Sequence, residues 1–294
     1  MTSKEYSLAR YAYVDGRYVP HEEGVVGIED RGFQFADGIY EVASIIGGAM
    51  VDGPGHLDRM ERSLAALEIA PPVLRRVLEL IMRELILRNG VVDGFLYLQI
   101  TRGMAPRDHK YPTGIRPTMV LSTKRVDFLN QAKLADGVKA ITIPDIRWAR
   151  CDIKTISLLP NCMGKTQAAA AGAYEALQVD AAGNITEGTS SNAWIVTQDN
   201  RLLTRALSRG ILRGVTRDRL IGIAAEEGID VAEQAFSVEA AKAAREAFVT
   251  SATSFLTPVV QIDDTVIADG APGPLSRRLQ GWYIDYCAGL RESA

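Results

Sequence analysis

The segment DIRWARCDIKT at residues 145–155 is the stretch from which the rest of the chain can be interpreted. It is apolar, basic and aromatic, and one lysine, Lys154, lies near its end. The preceding residues 138–143 predict a β-strand that ends at Pro144, because proline donates no hydrogen bond to a neighbouring strand. A lysine in this setting is expected to be partly desolvated, which favours the neutral, nucleophilic amine. Because most lysines are exposed, the alternative is a surface lysine whose stem packs on Trp148.

The composition is that of an ordinary globular protein and argues against several classes of function. The chain has 294 residues, 47% of them hydrophobic, and a formal net charge of −3, which gives no global electrostatic case for nucleic-acid binding. No apolar run is long enough to cross a bilayer, and residues 1–10 lack the apolar core of a secretory signal. Three scattered cysteines predict reduced thiols in a cytoplasmic protein. The spacing of cysteines and histidines predicts no metal site.

Strands joined by hairpins are mixed with helices in both halves of the chain. Hairpin turns are predicted at Asp15-Gly16 and Gly47-Gly48, and amphipathic helices at 56–67 and 73–89, the second closed by Gly90. Further strands are predicted at 95–101, 119–122, 174–179 and 193–197, and further helices at 160–172, 216–227, 237–244 and 274–287. This mixture predicts an α+β fold with antiparallel or mixed sheets rather than a doubly wound fold.

A two-domain organisation is predicted from a local loss of apolar periodicity. Residues 124–137 lose the pattern and form the candidate linker. We therefore expect a small N-terminal domain at 1–123 and a larger C-terminal domain at 138–294.

Two segments could bind an anion through backbone N–H groups. Gly214 is predicted to lie in a turn and Thr216 at a helix N-cap, where the helix dipole favours negative charge. Residues 250–254 could form a second nest of N–H groups and hydroxyls. A plain helix cap and an ordinary polar turn are the simpler interpretations.

Two apparent catalytic motifs each lack a residue that the motif requires. The sequence Met163-Gly-Lys-Thr166 resembles the end of a phosphate loop, but Leu159 stands where that motif needs glycine. Lys165 is then a solvated helix lysine and a weaker rival to Lys154. The Ser190-Ser191 pair does not complete the G-x-S-x-G pattern of a nucleophile elbow, which disfavours a serine hydrolase.

Several separated segments match one known family in the same order. They are DRGFQFADGIYE at 30–41, the region of Arg59, 101–112, 146–159, 186–192 and TSATSFLTP at 250–258. The chain resembles the class IV (fold type IV) pyridoxal-phosphate aminotransferases, most closely the bacterial D-amino acid aminotransferases. The resemblance covers nearly the whole chain and implies a two-domain α+β fold whose C-terminal domain binds pyridoxal 5′-phosphate (PLP).

The resemblance implies roles for individual residues around this cofactor. Lys154 would hold PLP as a Schiff base and shuttle the substrate proton. Glu187, which alone would be an acid in a tight turn, would face the pyridine nitrogen and keep the ring protonated. Arg59 would bind the phosphate. The other implied cofactor-binding positions are Leu212, Val215, Thr216, Ser251, Ala252 and Thr253. Ala252 departs from the pattern, because close relatives carry a threonine there whose hydroxyl touches the phosphate.

Tyr40, Arg107 and His109 resemble the family's site for the substrate α-carboxylate. In relatives the arginine and histidine reach in from the partner subunit, which implies a homodimer. The expected reaction is transamination from D-alanine to 2-oxoglutarate. A branched-chain L-amino acid aminotransferase, an (R)-amine transaminase, aminodeoxychorismate lyase and a PLP-binding protein without turnover are the alternatives. Arg107 and His109 argue against the three enzymes, although alone they would be solvated loop charges.

Overall fold

The computed structural model describes residues 10–129 and 131–292, with side chains as far as Gly289. Contacts divide the chain into two compact units. The first contains the described residues up to Asp127, Ile153–Ser157 and the described residues from Ala288. The second contains Phe128–Asp152 and Leu158–Cys287. Lys154 is therefore grouped with the first unit, whereas the predicted C-terminal domain included it. The predicted boundaries themselves stay a prediction.

The first unit is built on a six-stranded antiparallel sheet. Its strands are β1 (Tyr11–Val14), β2 (Arg17–Pro20), β3 (Gly38–Ile46), β4 (Ala49–Met50), β5 (Gly94–Thr101) and β6 (Thr118–Arg125), in the order β2-β1-β6-β5-β3-β4. Both predicted hairpins are confirmed. Asp15 and Gly16 join β1 to β2 with φ values of 43° and 95°, and this left-handed backbone explains the glycine.

Helices pack on this sheet, and a hydrophobic core lies between them and the strands. The helices are α1 (Arg31–Phe35), α2 (Gly53–Ala66) and α3 (Arg75–Asn89), with a 3₁₀ turn at His21–Glu23. Leu57 and Leu64 of α2 and Leu85 of α3 are buried in one cluster with the sheet residues Leu96 and Leu98. Each fully buried leucine contributes about 1.5–3 kcal/mol. The predicted amphipathic helices are confirmed, and α3 ends as expected at a left-handed Gly90.

The second unit is built on a nine-stranded mixed sheet. Its strands are β7 (Val138–Pro144), β8 (Glu175–Val179), β9 (Ile185–Gly188), β10 (Asn192–Val196), β11 (Leu202–Thr204), β12 (Val231–Glu233), β13 (Glu246–Ser251), β14 (Phe255–Ile262) and β15 (Thr265–Val266). The order is β12-β11-β10-β13-β14-β7-β8-β9, with β15 on β14. Parallel pairs join β7 to β8 and to β14, and β11 to β12. The remaining helices are α4 (Ala132–Asp136), α5 (Leu159–Ala170), α6 (Val215–Glu226), α7 (Val238–Lys242) and α8 (Pro274–Glu292).

Several local predictions were wrong. Glu187 lies in strand β9, not in a tight turn. Residues 124–137 contain the end of β6 and helix α4, and their role as the linker is not among these errors and stays a prediction. Strand β14 escaped prediction because Pro258 stands inside it, where it pairs with Phe248.

The α+β class is confirmed by both sheets. Among the described residues, no helix combines the length and apolar character that crossing a membrane requires. Cys151, Cys162 and Cys287 are all free thiols. The cytoplasmic location predicted from them stays a prediction.

Candidate active site

The backbone around Lys154 is tied to strand β3 and helix α2. Tyr40 N donates to Lys154 O at 3.0 Å, and Lys154 N donates to Ser63 Oγ at 3.2 Å. Ile39 and Thr155 form an isolated antiparallel bridge. The neighbouring Ile153 belongs to the buried core of the first unit. These contacts fix the position from which the lysine side chain starts.

The Lys154 amine lies against an aromatic ring. Its side chain is half-buried, as predicted, and Nζ lies 4.2 Å from the centroid of the Tyr40 ring. Tyr40 also stacks on Tyr97, with ring centroids 6.0 Å apart. The structure thus brings together two of the predicted site residues, a lysine and a tyrosine, within one unit.

Lys165, the rival amine, has a different environment. Its side chain is 42% exposed and lies 3.4 Å from Glu175, with which it forms an ion pair. Nζ also donates to the carbonyl of Tyr174 at 2.6 Å. The amine is therefore engaged in a helix-to-strand contact.

Arg59 is held by a buried carboxylate on the neighbouring strand. Its Nε and Nη2 each donate to Glu41 at 2.8 Å, and His56 Nδ1 lies 2.8 Å from the same carboxylate. Burial alone would raise the pKa of Glu41, but the Arg59 guanidinium and His56 lower it to about 2. Burial lowers the pKa of His56, and the positive charges of Arg59 and Lys154 lower it further. Arg59 is thus fixed by an ion pair, and its phosphate contact stays a prediction.

Arg107 and His109 are both exposed and share one aromatic neighbour. Arg107 Cζ lies 5.1 Å from the centroid of the Phe35 ring, and the His109 ring centroid lies 5.5 Å from it. The described ring contacts of Tyr40 are with Tyr97 and Lys154 instead. The structure therefore groups Arg107 with His109, and Tyr40 with Lys154.

Glu187 is a buried carboxylate at the centre of a polar cluster in the second unit. Arg147 Nη1 donates a short hydrogen bond to it, and Asn192 Nδ2 donates another at 3.1 Å. The Leu212 N–H lies 3.2 and 3.1 Å from its two oxygens. Burial raises the pKa of Glu187 to about 7, although Arg147 and the Leu212 N–H favour the ionised form. The nearby Asp145 carboxylate also contributes to this raised pKa.

Arg147 and Asn192 are site residues to which the sequence assigned no role. Arg147 is held by Asp145, to which Nη2 donates at 2.7 Å and Nε at 2.9 Å. Burial alone would lower the pKa of Arg147, but the hydrogen bonds and charges of Asp145 and Glu187 raise it. The one sequence signal for the Asp145–Arg147 ion pair was the spacing Asp145-Ile-Arg147 within the segment 145–155.

The start of helix α6 lies beside this cluster. Gly214, not Thr216, is the N-cap, and no side chain caps the helix. A Cβ on Gly214 would lie 2.0 Å from Asn192 Oδ1, so any larger residue would displace the Asn192 amide. Asn192 Nδ2 also donates to Leu212 O at 2.9 Å. One asparagine thereby links the Glu187 carboxylate to the turn that begins α6.

The predicted nest at 250–254 joins two strands. Strand β13 ends at Ser251 and β14 begins at Phe255, with Ala252 and Thr253 in the turn between them. Ser251 Oγ accepts from the Ser254 N–H at 3.1 Å. Thr250 is the pairing partner of Asn192, so this turn and Glu187 both adjoin strand β10.

Comparison with known proteins decides the family. The family model for amino-transferase class IV matches residues 38–262. The chain belongs to the class IV aminotransferases. The D-alanine aminotransferase of Bacillus licheniformis is 40% identical over 266 residues, covering 90% of this chain and 93% of its own. That of Staphylococcus haemolyticus is 36% identical over 275 residues, covering 93% of this chain and 96% of its own. The resemblance inferred from the sequence is confirmed.

Solved structures of aminotransferases share the fold. The Escherichia coli branched-chain amino acid aminotransferase superposes with a TM-score of 0.87 at 22% identity, over 94% of both chains. A hypothetical aminotransferase from Mycobacterium tuberculosis, solved in its PLP-bound form, gives 0.80 at 23% identity, over 94% of this chain and 98% of that one. At these identities the likeness concerns the fold alone.

Class IV aminotransferases are PLP enzymes, and the groups described above suit this cofactor. A half-buried lysine beside an aromatic ring suits an aldehyde carbon, and a buried carboxylate suits a protonated ring nitrogen. A helix N-terminus without a side-chain cap suits a phosphate. PLP therefore fits the residues of this chain.

Proposed function

We propose that this chain is a D-amino acid aminotransferase, a transaminase that moves the amino group of D-alanine to 2-oxoglutarate and yields pyruvate and D-glutamate. The observation that carries the substrate class is the pairing of Arg107 with His109 beside the Phe35 ring. An arginine fork binds a carboxylate through two parallel hydrogen bonds, and a neighbouring imidazole adds a donor. The similarity to D-alanine aminotransferases over 90% of the chain supports the same assignment.

Lys154 is assigned as the residue that holds PLP and moves the substrate proton. The cofactor, when bound, supplies the electron sink that lets a proton leave the substrate Cα. The backbone hydrogen bonds of Lys154 to β3 and α2 fix the point from which its side chain extends. The Tyr40 ring limits the solvation of its amine. Such a tethered, partly desolvated amine suits repeated transfer of one proton at one face.

Glu187 is assigned to the ring nitrogen of the cofactor. A protonated ring nitrogen is a positive partner, which favours the ionised form of this buried carboxylate. The bonds from Arg147, Asn192 and the Leu212 N–H hold it in one orientation. Glu187 is thereby positioned before any ligand arrives.

The phosphate is assigned to N–H groups and short polar side chains, together with one guanidinium. These are contributed by Arg59, Leu212, Val215, Thr216, Ser251, Ala252 and Thr253. Ala252 carries no hydroxyl and contributes its backbone alone. The N-terminus of α6 favours an anion because its first N–H groups have no partner within the helix.

We further propose that the active protein is a homodimer in which Arg107 and His109 act at the partner's site. The support is a set of large apolar side chains that are exposed on the segments leading to α1, on α1 and on the loop with Arg107. They are Val25, Ile28, Phe33 and Met104. Exposed apolar side chains grouped on such segments suit a surface that another protein covers. A second copy is the partner expected for a symmetric oligomer.

The reaction can be tested directly with purified protein loaded with PLP. D-alanine and 2-oxoglutarate should yield pyruvate and glutamate, and chiral chromatography should identify the glutamate as the D form. Lys154→Ala should abolish the reaction, whereas Lys165→Ala is the matched control and should retain it. Production of L-glutamate from L-leucine without any D-alanine activity would contradict the proposal.

A further inference from the structure

The backbone that carries Arg107 and His109 is held by Arg31, the first residue of α1. Arg31 Nη1 donates to the carbonyl of Asp108 at 2.5 Å, and Nη2 to that of His109 at 3.5 Å. Its backbone N–H donates to Gly103 O at 2.9 Å. One arginine therefore contacts the loop both where it begins and beside its two functional side chains.

Arg31 is itself fixed by a buried ionic cluster. Its Nε donates to Asp37 Oδ2 at 2.7 Å, and the same oxygen accepts from Arg102 Nε at 2.8 Å. The side chains of Arg31, Asp37 and Arg102 are only 3%, 7% and 7% exposed. Arg102 donates to the carbonyls of residues 67 and 68, and its Cζ lies 3.6 Å from the centroid of the Tyr111 ring. Two guanidinium groups thus share the Asp37 carboxylate.

Phe35, one turn further along α1, orders the side chains of the same loop. Its ring centroid lies 4.7 Å from Arg31 Cζ and 5.1 Å from Arg107 Cζ. The His109 ring lies against it as well. Helix α1 thus holds the loop backbone through Arg31 and the two side chains through Phe35. Exposed charged side chains on a long loop would otherwise sample many rotamers, and ordering them on binding lowers affinity.

We propose that Arg31 is a positioning residue for carboxylate recognition, which presents Arg107 and His109 as a preformed pair to the α-carboxylate of an amino acid. The proposal rests on the proposed function and deepens it. The geometry requires arginine, because Nε binds Asp37 while Nη1 and Nη2 bind the loop carbonyls. A lysine would keep the charge but has one compact ammonium, which cannot make both sets of contacts.

The first test compares Arg31→Lys with Arg88→Lys in the PLP-loaded protein. Arg88 is the matched control, since it is an exposed arginine of the same unit that pairs with Glu84 at 2.7 Å. Carboxylate binding acts in the ground state and the transition state alike, so its loss should raise KM and leave kcat nearly unchanged. We expect KM for D-alanine to rise about tenfold in Arg31→Lys, because charge-assisted bonds to the loop are lost. Arg88→Lys should match the wild type.

The second test measures hydrogen exchange of the backbone amides at 107–111 in the same proteins without substrate. Exchange should accelerate in Arg31→Lys and stay unchanged in Arg88→Lys. Unchanged exchange in Arg31→Lys overturns the positioning role, and faster exchange with an unchanged KM overturns its link to the carboxylate. If Arg31→Lys does not fold, Arg31→Gln, which also cannot bind both Asp37 and the loop carbonyls, should show the same KM rise and faster exchange, and normal values in it overturn the proposal.

The two tests separate this inference from the proposed function. A wild-type protein without any activity on D-alanine contradicts the proposed function. Hydrogen exchange then still decides whether Arg31 holds the loop, because that measurement needs no turnover.

Discussion

Arg147 donates a hydrogen bond to the buried Glu187 carboxylate while a second carboxylate, Asp145, holds the same guanidinium from the other side. One positive charge therefore serves two acids. Arg147 therefore only partly offsets the burial of Glu187 and its repulsion by Asp145, which both disfavour the ionised form, and the pKa of Glu187 is about 7. A cationic ligand at Glu187 would supply a second positive charge and stabilise the ionised carboxylate, which is the electrostatic role expected of a protonated pyridine ring.

The raised pKa of Glu187 predicts a pH-dependent stability of the cofactor-free protein. A carboxyl whose pKa is higher in the folded state stabilises the fold at low pH, and this stability is lost as pH rises from about 4.5 to about 7. Urea unfolding of the wild type should lose about 2–3 kcal/mol between pH 5 and pH 8 relative to Glu187→Gln, which cannot titrate there. Parallel pH profiles for the two proteins would show that the pKa of Glu187 is not raised in the folded protein.

The Glu41–Arg59 ion pair predicts that Arg59→Ala is destabilising in addition to any effect on phosphate binding. The variant leaves a buried carboxylate without its guanidinium, at a cost of about 3–5 kcal/mol. The low pKa of Glu41 means that its stabilisation is present above about pH 4.5 and is lost as pH falls towards about 2. Urea unfolding at pH 7 and at acid pH measures both effects.

A double variant separates stability from phosphate binding at this site. Glu41→Gln combined with Arg59→Ala should recover part of the lost stability, because no unpaired charge remains. If Arg59 binds the phosphate, the double variant should still lose PLP on dialysis, whereas Glu41→Gln alone should retain it. If the double variant retains PLP fully, Arg59 does not bind the phosphate.

The environments of the two rival lysines predict where the cofactor is attached. Lys154 Nζ lies over the Tyr40 ring, whereas Lys165 Nζ is engaged with Glu175 and the Tyr174 carbonyl. Borohydride reduction followed by peptide mapping should place the pyridoxyl group on Lys154. An adduct on Lys165 would exclude Lys154 as the attachment residue.

If Arg107 and His109 act at the partner's site, two inactive variants should complement each other in a mixed dimer. Lys154→Ala lacks the amine and Arg107→Ala lacks the carboxylate ligand, so each homodimer should be impaired. A mixed dimer has one complete site if Arg107 acts in the partner, and random reassociation should restore about one quarter of wild-type activity. If Arg107 acts within its own subunit, the mixture should show no gain over the separate variants.

Local chemistry made much of the fold predictable. The left-handed Gly90 and the Asp15-Gly16 turn are set by nearby residues, and the structure confirms both. The strand position of Glu187 was missed because its small polar neighbours are typical of turns. Pairing of β9 with β8 decides that conformation, and this partner strand is not visible in the local sequence.

The site was predictable where the family pattern marks it and not where distant residues meet. The network around Glu187 depends on Arg147 and Asn192, and Arg147 reaches Glu187 from forty positions earlier. A single sequence gives no measure of such a contact. Helix α1 was likewise missed, since its five residues are too few to show a helical period, although Asp30 is a typical N-cap whose side chain accepts from the Gly32 N–H.

The preference for one enantiomer of alanine tests the central claim most directly. If Lys154 moves the proton from one face, the position of the carboxylate site decides which enantiomer reacts. The mirror-image substrate would lose two charged contacts, about 3–6 kcal/mol, or about two to four orders of magnitude in kcat/KM. We predict that kcat/KM with 2-oxoglutarate strongly favours D-alanine over L-alanine, and that Arg107→Ala removes most of this preference. Equal values for the two enantiomers, or a preference for L-alanine in the intact protein, would contradict the assignment.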